Sequence, residues 1–412
     1  MPDYSQLREQ CNKVSRISTA VIDDFIVYYA AKRDKLDQEF ESRISRFRHA
    51  GKGMPSNWSG LIEAQYIGHR IFKQQGLIPK YLNHSAIKDL DAEQQDYLRQ
   101  MAAHPWRFSF SKIKASPAPD FYEMQDVFTG DTYLLYSASV SQILSERPVL
   151  LWFNLIGFND HCWQTYGPVT GFQSFEEDDI FFYATELDPK IESGDDLVKD
   201  LDNNPVPYIM LMTGSVYPLV KHGEFEVLQV TGENHSALFD AKALKKEFKL
   251  AYAEGVFKLS HKLWSEPPHF AEAYYEEERG IIFLNALTER GYLEMGACLN
   301  AYAFNLPVDP DIRLHLPMLT VIKNLLKKDP ELNPYSRLFE IKPSAESDAL
   351  MKKLNEFMML ALPYINEGKE PDIDALAKKT GVDPKIAREI LQKSMGSIKK
   401  LRKNDKNNTG LR

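Results

Sequence analysis

Apolar residues recur at three- and four-residue steps through the first hundred positions. In "LREQCNKVSRISTAVIDDFIVYYAAKRDKLDQEFESRISRF" the stripe runs through Val14, Ile17, Val21, Phe25, Tyr28 and Tyr29, with no Pro or Gly to interrupt it. The pattern predicts a helical region over 1–103. It breaks at "GKGMPSNWSG", resumes from about Leu61 and stops at Gly76 and Pro79. A last helix over "LDAEQQDYLRQMAA" has Asp91 placed to cap it.

From Trp106 the period becomes two. "WRFSFSKIK" alternates strictly, and "FYEMQDVFTGDTYLLYS" reads as a hairpin around Thr129-Gly130-Asp131. With "PVLLWFNLI" and "HCWQTYGPVTGF" these runs predict a small, mostly antiparallel barrel or curled sheet reaching about Thr185. The polar stretch "LDPKIESGDDLVKDLDNNPVP" reads as a connector. Beyond it "YIMLMTG" and "EFEVLQVTG" are strand candidates. "DAKALKKEFKLAYAEG" reads as a helix capped by Asp240 and ended by Gly255. The segment from Ala271 to Lys328 predicts strand, tight turn at Glu278-Arg279-Gly280, strand, helix from about Glu289, short strand through Ile312 and helix from about Pro317. That is a ββαβα unit with its helices on one face of an antiparallel sheet.

These readings together predict an α+β, multidomain chain. It has a helical N-terminal region (1–103), a small antiparallel β-rich domain (104–187), an α+β domain of ββαβα order (205–343) and a helical C-terminal domain with a basic tail (344–412). The length of 412 residues agrees with several domains, and 43% apolar with 26% charged residues is a globular balance. Apolar runs such as "VLLWF" and "FMMLAL" are far shorter than the roughly 20 residues of a spanning helix, so no membrane contact is expected. The N-terminal "MPDYSQLREQCNK" has no signal-peptide core. Cys11, Cys162 and Cys298 are odd in number and far apart, which points to a reducing, cytoplasmic setting and away from a closed zinc site.

Charge changes the picture at the C-terminus. The net charge is −8, yet Pro371–Arg412 holds 11 Lys and Arg against 5 Asp and Glu, and the rest holds 39 against 53. An acidic body with a basic tail calls for an anionic partner, either nucleic acid or an acidic protein, or for a tail that simply solvates.

The tail carries the most organised stretch, "DIDALAKKTGVDPKIAREILQKS". Asp372 is placed to cap a helix whose inner face is Ile373, Leu376 and Ala377. Gly381 suits a left-handed turn, with Val382 tucked beneath it. Asp383 is placed to cap a second helix with Pro384 at its first position and an apolar face of Ile386, Ala387, Ile390 and Leu391. This resembles the helix-turn-helix of DNA-binding proteins through the spacing of Ala377, Gly381 and Ile390. The resemblance implies a second helix in the major groove, read out by Lys385, Arg388, Gln392 and Lys393, with Lys399, Lys400 and Arg402 of the tail on phosphates. Glu389 and the early end of the helix depart from it. The segment also resembles ubiquitin-associated-type three-helix domains through Gly396-Ser397-Ile398, which implies a protein partner. A bundle that only closes the C-terminus fits the same residues.

Other candidates are thinner. Arg43, Arg46, Arg48 and Lys52 beside Phe47 and Trp58 mix cations with aromatics, as a nucleic-acid surface does, but also as a solvated helix end does. Residues 106–185 resemble the β segments that accompany SEC-C motifs in uncharacterised bacterial proteins, chiefly through "DVFTGDTYLLYSAS". The zinc-binding cysteines of that motif are missing, so no metal is implied. His161-Cys162, Glu276 and His235 are the first suspects for an enzyme with a site between the two β-containing domains. His261 and His269 have no zinc spacing. The acidic runs Glu176–Asp179 and Glu276–Glu278 read as solvated turns. No phosphate-binding, dinucleotide or nucleophile-elbow motif is present, so no cofactor is expected and catalysis is the less favoured reading.

Overall fold

The uninterrupted apolar stripe of the N-terminus does form helix, beginning where the Asp3 side chain accepts from the backbone N–H of Ser5 and Gln6. The computed structural model describes residues 3–51, 54–55, 57–146, 149–222, 225–236, 239–262, 270–339, 350–354, 356–357, 360–361, 364, 369–389 and 391. They fall into two units, Met1–Tyr335 and Ser336–Arg412.

In the first unit, α1 (Tyr4–Ser18) runs into a π-helical stretch, Thr19–Ile26, and then α2 (Val27–Arg33). Lys35, at φ +54°, breaks the run before α3 (Leu36–Ile44). α4 (Trp58–Phe72), α5 (Ile78–Leu82), α6 (Ser85–Lys88) and α7 (Ala92–Ala103) follow. Asp91 caps α7 as its position predicts, in a reciprocal box with Gln94. Phe40, Tyr66, Ile71, Phe72 and Leu98 pack together as the core of this helical region.

Next comes a closed five-stranded barrel: β1 (Arg107–Ala118), β2 (Phe121–Asp126), β3 (Thr132–Tyr136), α8 (Ala138–Glu146), β4 (Leu151–Phe158) and β5 (Trp163–Phe172), in the order β1-β2-β3-β5-β4. Every pairing is antiparallel except β3 with β5. This is the five-stranded Greek-key order of an OB-type barrel, with α8 between β3 and β4. Long β1 serves two neighbours, pairing with β4 over its first half and with β2 over its second, across a register shift at Ile113–Ala115. Trp152 and Ile156 of β4 pack with Tyr122, Met124, Tyr133 and Leu135, while the alternating Phe153 and Leu155 join the core of the helical region. Covering on both faces is why β4 is apolar from Leu151 to Ile156 at every position but Asn154.

The strand reading fails after Phe172. Glu177–Leu187 is helix α9, with Ile180, Tyr183 and Ala184 buried at helical spacing. The expected connector holds α10 (Gly194–Asn203), anchored by Leu197 and Leu201, and "YIMLMTG" falls in α11 (Pro205–Ile209) and a 3-10 turn, Met210–Gly214. A short run buried all round has no period to separate helix from strand.

The remaining elements form a short hairpin, β6 (Lys221–His222) and β7 (Phe225–Glu226), and a six-stranded antiparallel sheet. The sheet contains β8 (Leu228–His235), β9 (Phe248–Ala253), β10 (Val256–His261), β11 (Ala271–Glu276), β12 (Ile281–Ala286) and β13 (Ile312–His315), in the order β13-β8-β12-β11-β10-β9. The helix read over Asp240–Gly255 shrinks to α12 (Ala241–Leu244). Glu254 and Gly255 both take positive φ, a two-residue hairpin turn that pairs β9 with β10. α13 (Glu289–Asn300) packs Tyr292, Met295 and Leu299 on the sheet. α14 (Leu316–Leu326) does not share that face as the ββαβα reading placed it. Its Met318, Val321 and Ile322 join the core that holds α9 and the 3-10 turn.

In the second unit, helical residues 350–354 and the pair Ile373–Thr380 and 384–389 enclose Phe357, Ala361, Ala377, Val382, Ala387 and Leu391. The chain is thus α+β with more than one folded unit. Among the described residues no helix is long and apolar enough to cross a membrane.

Candidate functional site

Each local device of the C-terminal pair is in place. Asp372 accepts from Ala375 N at 3.0 Å, and Gly381 sits at φ +69° with Val382 buried beneath it. Asp383 accepts from Lys385 N at 2.8 Å and Ile386 N at 3.3 Å, opening the second helix. Ala387 and Leu391 face the small core; Ile386, expected beside them, is 37% exposed. A small three-helix core is too narrow to cover every apolar position of its last helix. The outward face presents Lys385, Arg388 and Glu389, with Lys378 and Lys379 exposed on the preceding helix. Arg388 is not idle: its Nη2 donates to Asp374 Oδ1 at 2.5 Å, tying the two helices together. Of the other residues implied as readers, Gln392, Lys393, Lys399, Lys400 and Arg402 lie outside the described residues, as do Ile390 and Gly396–Ile398.

An OB-type barrel offers another nucleic-acid surface, since the face of strands 2 and 3 and the adjoining loops hold oligonucleotides and oligosaccharides. Here α1 packs against one end of that face, at Phe121, Leu134 and Tyr136, and leaves Glu123 and Thr132 exposed. Tyr4 packs on Phe121 with ring centroids 5.1 Å apart, and Tyr136 donates to Asn12 at 2.8 Å. Arg8 reaches the carbonyl of Pro119 in the β1–β2 turn. Cys11 meets Cys162 of the β4–β5 loop, sulfur to sulfur at 3.4 Å, with the Asn159 amide on both. These contacts fasten α1 to the barrel at its β1–β2 turn and β4–β5 loop.

Where the helical region leaves the barrel there is a cleft of about 480 Å³, within the usual size of small-molecule sites. Its apolar wall includes Val14, Leu61, Met101, Trp106 and Phe158, and its polar groups include Ser15, Asn159, Gln164 and Thr165. The π-helical stretch supplies Thr19 and Asp23, and Tyr166 of β5 donates to Asp23 Oδ1 at 2.6 Å. Burial, then this bond, pushes the Tyr166 phenol well above its usual range. β5 bends at this point, with Gly167 at φ +72° against the Gln65 side chain, whose amide donates to the carbonyls of Tyr166 and Pro168. π-helical turns are frequent at functional sites. Periodicity alone could not reveal this one, because its residues continue the apolar stripe of α1.

The enzyme suspects are dispersed. His161 is exposed and Cys162 buried against Cys11, while His235 and Glu276 lie on the six-stranded sheet, on β8 and β11. Glu276 accepts from the Tyr335 hydroxyl at 2.7 Å. The Glu176–Asp179 run is a structural joint, not a solvated turn. Asp179 is fully buried and accepts from His315 N and Nδ1, Glu176 pairs with Arg313 at 3.1 Å, and Glu177 pairs with Lys112. In the basic N-terminal stretch Phe47 is core, Trp58 packs against that core, Arg43 pairs with Glu39, and Arg48 pairs with Glu41. Those aromatics are not free to stack on bases; Lys52 lies outside the described residues. Comparison of the chain with protein-family models, with curated proteins and with solved structures finds no match.

Proposed function

We propose that this is a cytoplasmic binding protein that contacts nucleic acid through its C-terminal helix pair, with the acidic body as a regulatory or oligomerising scaffold. One observation carries the reading: the second helix buries Ala387 and Leu391 and turns Lys385 and Arg388 outward from a capped, exposed first turn. This is the arrangement a groove-entering helix needs. The basic tail adds sequence-independent attraction to phosphates. The cytoplasmic placement is supported by the cysteines, which are odd in number and all free thiols even where Cys11 and Cys162 meet. The same outward face would serve an adaptor that binds an acidic protein.

A binding titration of the full chain with duplex DNA at two salt concentrations tests the proposal. Log K falls linearly with log salt if Lys and Arg neutralise phosphates. Arg388→Ala weakens binding and relaxes preference at one base position, whereas Lys400→Ala weakens all sequences alike. Absence of binding at low salt overturns the nucleic-acid reading and leaves the adaptor.

A second reading, a small-molecule-binding protein, is favoured by the cleft beside the π-helical stretch. Its mixed lining suits a compact ligand with an apolar body and a few neutral polar groups. A ligand-dependent rise in the unfolding midpoint that Thr165→Ala diminishes would support it.

A further inference from the structure

Glu247, His261 and Cys298 are far apart in sequence and come from three elements of the six-stranded sheet region. Glu247 lies in the turn between α12 and β9, His261 ends β10, and Cys298 sits in the last turn of α13. Each offers one donor atom, and the three atoms lie within 4.8 Å of one another. Cys298 Sγ stands 3.2 Å from Glu247 Oε2. The backbone beneath them is fixed independently of any ligand. His261 pairs with Phe248 across the ladder and lies edge-on to its ring at 5.4 Å. The Glu247 turn is held by Lys262, whose main-chain N–H donates to Glu247 O at 3.0 Å and whose ammonium donates to the carbonyls of Lys245 and Lys246.

We propose that Glu247, His261 and Cys298 form a binding site for a zinc-class divalent cation, with three protein ligands and one position left to water. A sulfur, an imidazole nitrogen and a carboxylate oxygen are all zinc donors, and zinc bonds of about 2.0–2.3 Å draw such atoms to about 3.3–3.8 Å from one another. The sulfur–oxygen separation already falls near that range. All three donor atoms already lie within 4.8 Å of one another, so small rotations of the three side chains close the rest without movement of the strand or the helix. On binding, the Cys298 thiol loses its proton to solvent and a sulfur–metal bond forms, with no change of oxidation state. Three ligands and an open position are the composition of a metal that activates water, not of a closed structural site. This inference does not depend on the helix pair or on the cleft.

The test is a titration of the full, reduced chain with cobalt(II), followed by zinc. We expect one cobalt per chain, a sulfur-to-cobalt charge-transfer band, and displacement of that band by zinc. Cys298→Ser abolishes the band, while the Cys11→Ser/Cys162→Ser double variant keeps it. Zinc raises the unfolding midpoint of the wild type and leaves that of Cys298→Ser unchanged. Glu247→Gln, at an exposed position where folding is not at stake, also loses binding at stoichiometric metal. The proposal is overturned if the wild type shows no band, or if the band survives Cys298→Ser or Glu247→Gln.

Discussion

His315 and Asp179 form a two-point joint in which the His315 main-chain N–H donates to Asp179 Oδ1 at 2.7 Å and its ring Nδ1 lies 2.8 Å from Oδ2. Both side chains are buried. The joint fastens the edge strand of the six-stranded sheet to the first turn of α9, and sends the chain from one core to the other at α14. Arg313, two residues earlier, adds pairs to Glu176 and Glu289. The sheet and the barrel region are coupled through polar contacts as well as apolar ones.

The joint carries a pH signature. Burial alone lowers the His315 pKa, but the bonds to Asp179 and then Glu226 outweigh it, so the net shift is upward; Arg313 opposes them weakly. A raised folded-state pKa means that this stabilisation is complete below the unfolded value of about 6.5 and is lost as pH rises through the folded value. Urea unfolding of wild type and His315→Gln should show a larger stability difference at about pH 6 than at about pH 9. Equal differences would mean that ionisation of His315 contributes nothing.

Arg388 is restrained by Asp374 across the C-terminal turn, an exposed pair. Exposed ion pairs are worth about 0–1 kcal/mol, so Asp374→Asn should tighten duplex binding by up to about fivefold by releasing the guanidinium. Fluorescence anisotropy at low salt measures this. Weaker binding by the variant would show that Asp374 orients Arg388 for its partner.

Gly381 turns the chain at φ +69°, and a Cβ there would meet Lys353 no closer than 3.7 Å. That is ordinary van der Waals contact with no clash, so Gly381→Ala is penalised by backbone conformation alone, at about 1 kcal/mol. Faster amide exchange confined to 369–391 in the intact chain is the expected readout. A slowdown, or a change spread through the barrel, would count against the turn as the source.

The three thiols should label in a definite order. Cys11 and Cys162 are buried between α1 and the barrel loop, whereas Cys298 is half-buried. Burial first, and then Glu247, pushes the Cys298 thiol up to about 11, so it reacts slowly near neutral pH but still ahead of the other two. Alkylation with mass-spectrometric readout should label Cys298 first, and Cys11 with Cys162 together on unfolding. Early labelling of Cys11 would show that α1 detaches from the barrel in the native state.

The sequence by itself determined what local chemistry controls. Asp91, Asp240, Asp372 and Asp383 announce helix starts because a carboxylate one turn before an amphipathic run has few other uses. The alternation in "WRFSFSKIK" and the turn at Thr129–Asp131 mark β1 and the β2–β3 hairpin for the same local reason. Where an element is buried on all sides, as in Tyr208–Leu211, no period survives, and tertiary packing decided between strand and helix. "KKEFKLAYAEG" became strand and hairpin because its partner β10 lies just beyond the positive-φ turn at Glu254–Gly255. The sites were decided further from the sequence still. The Cys11–Cys162 contact spans 151 positions, and the Glu247–His261–Cys298 cluster spans 51. Such groups meet only when sheet register, helix docking and core packing are complete, and no spacing along the chain encodes that meeting.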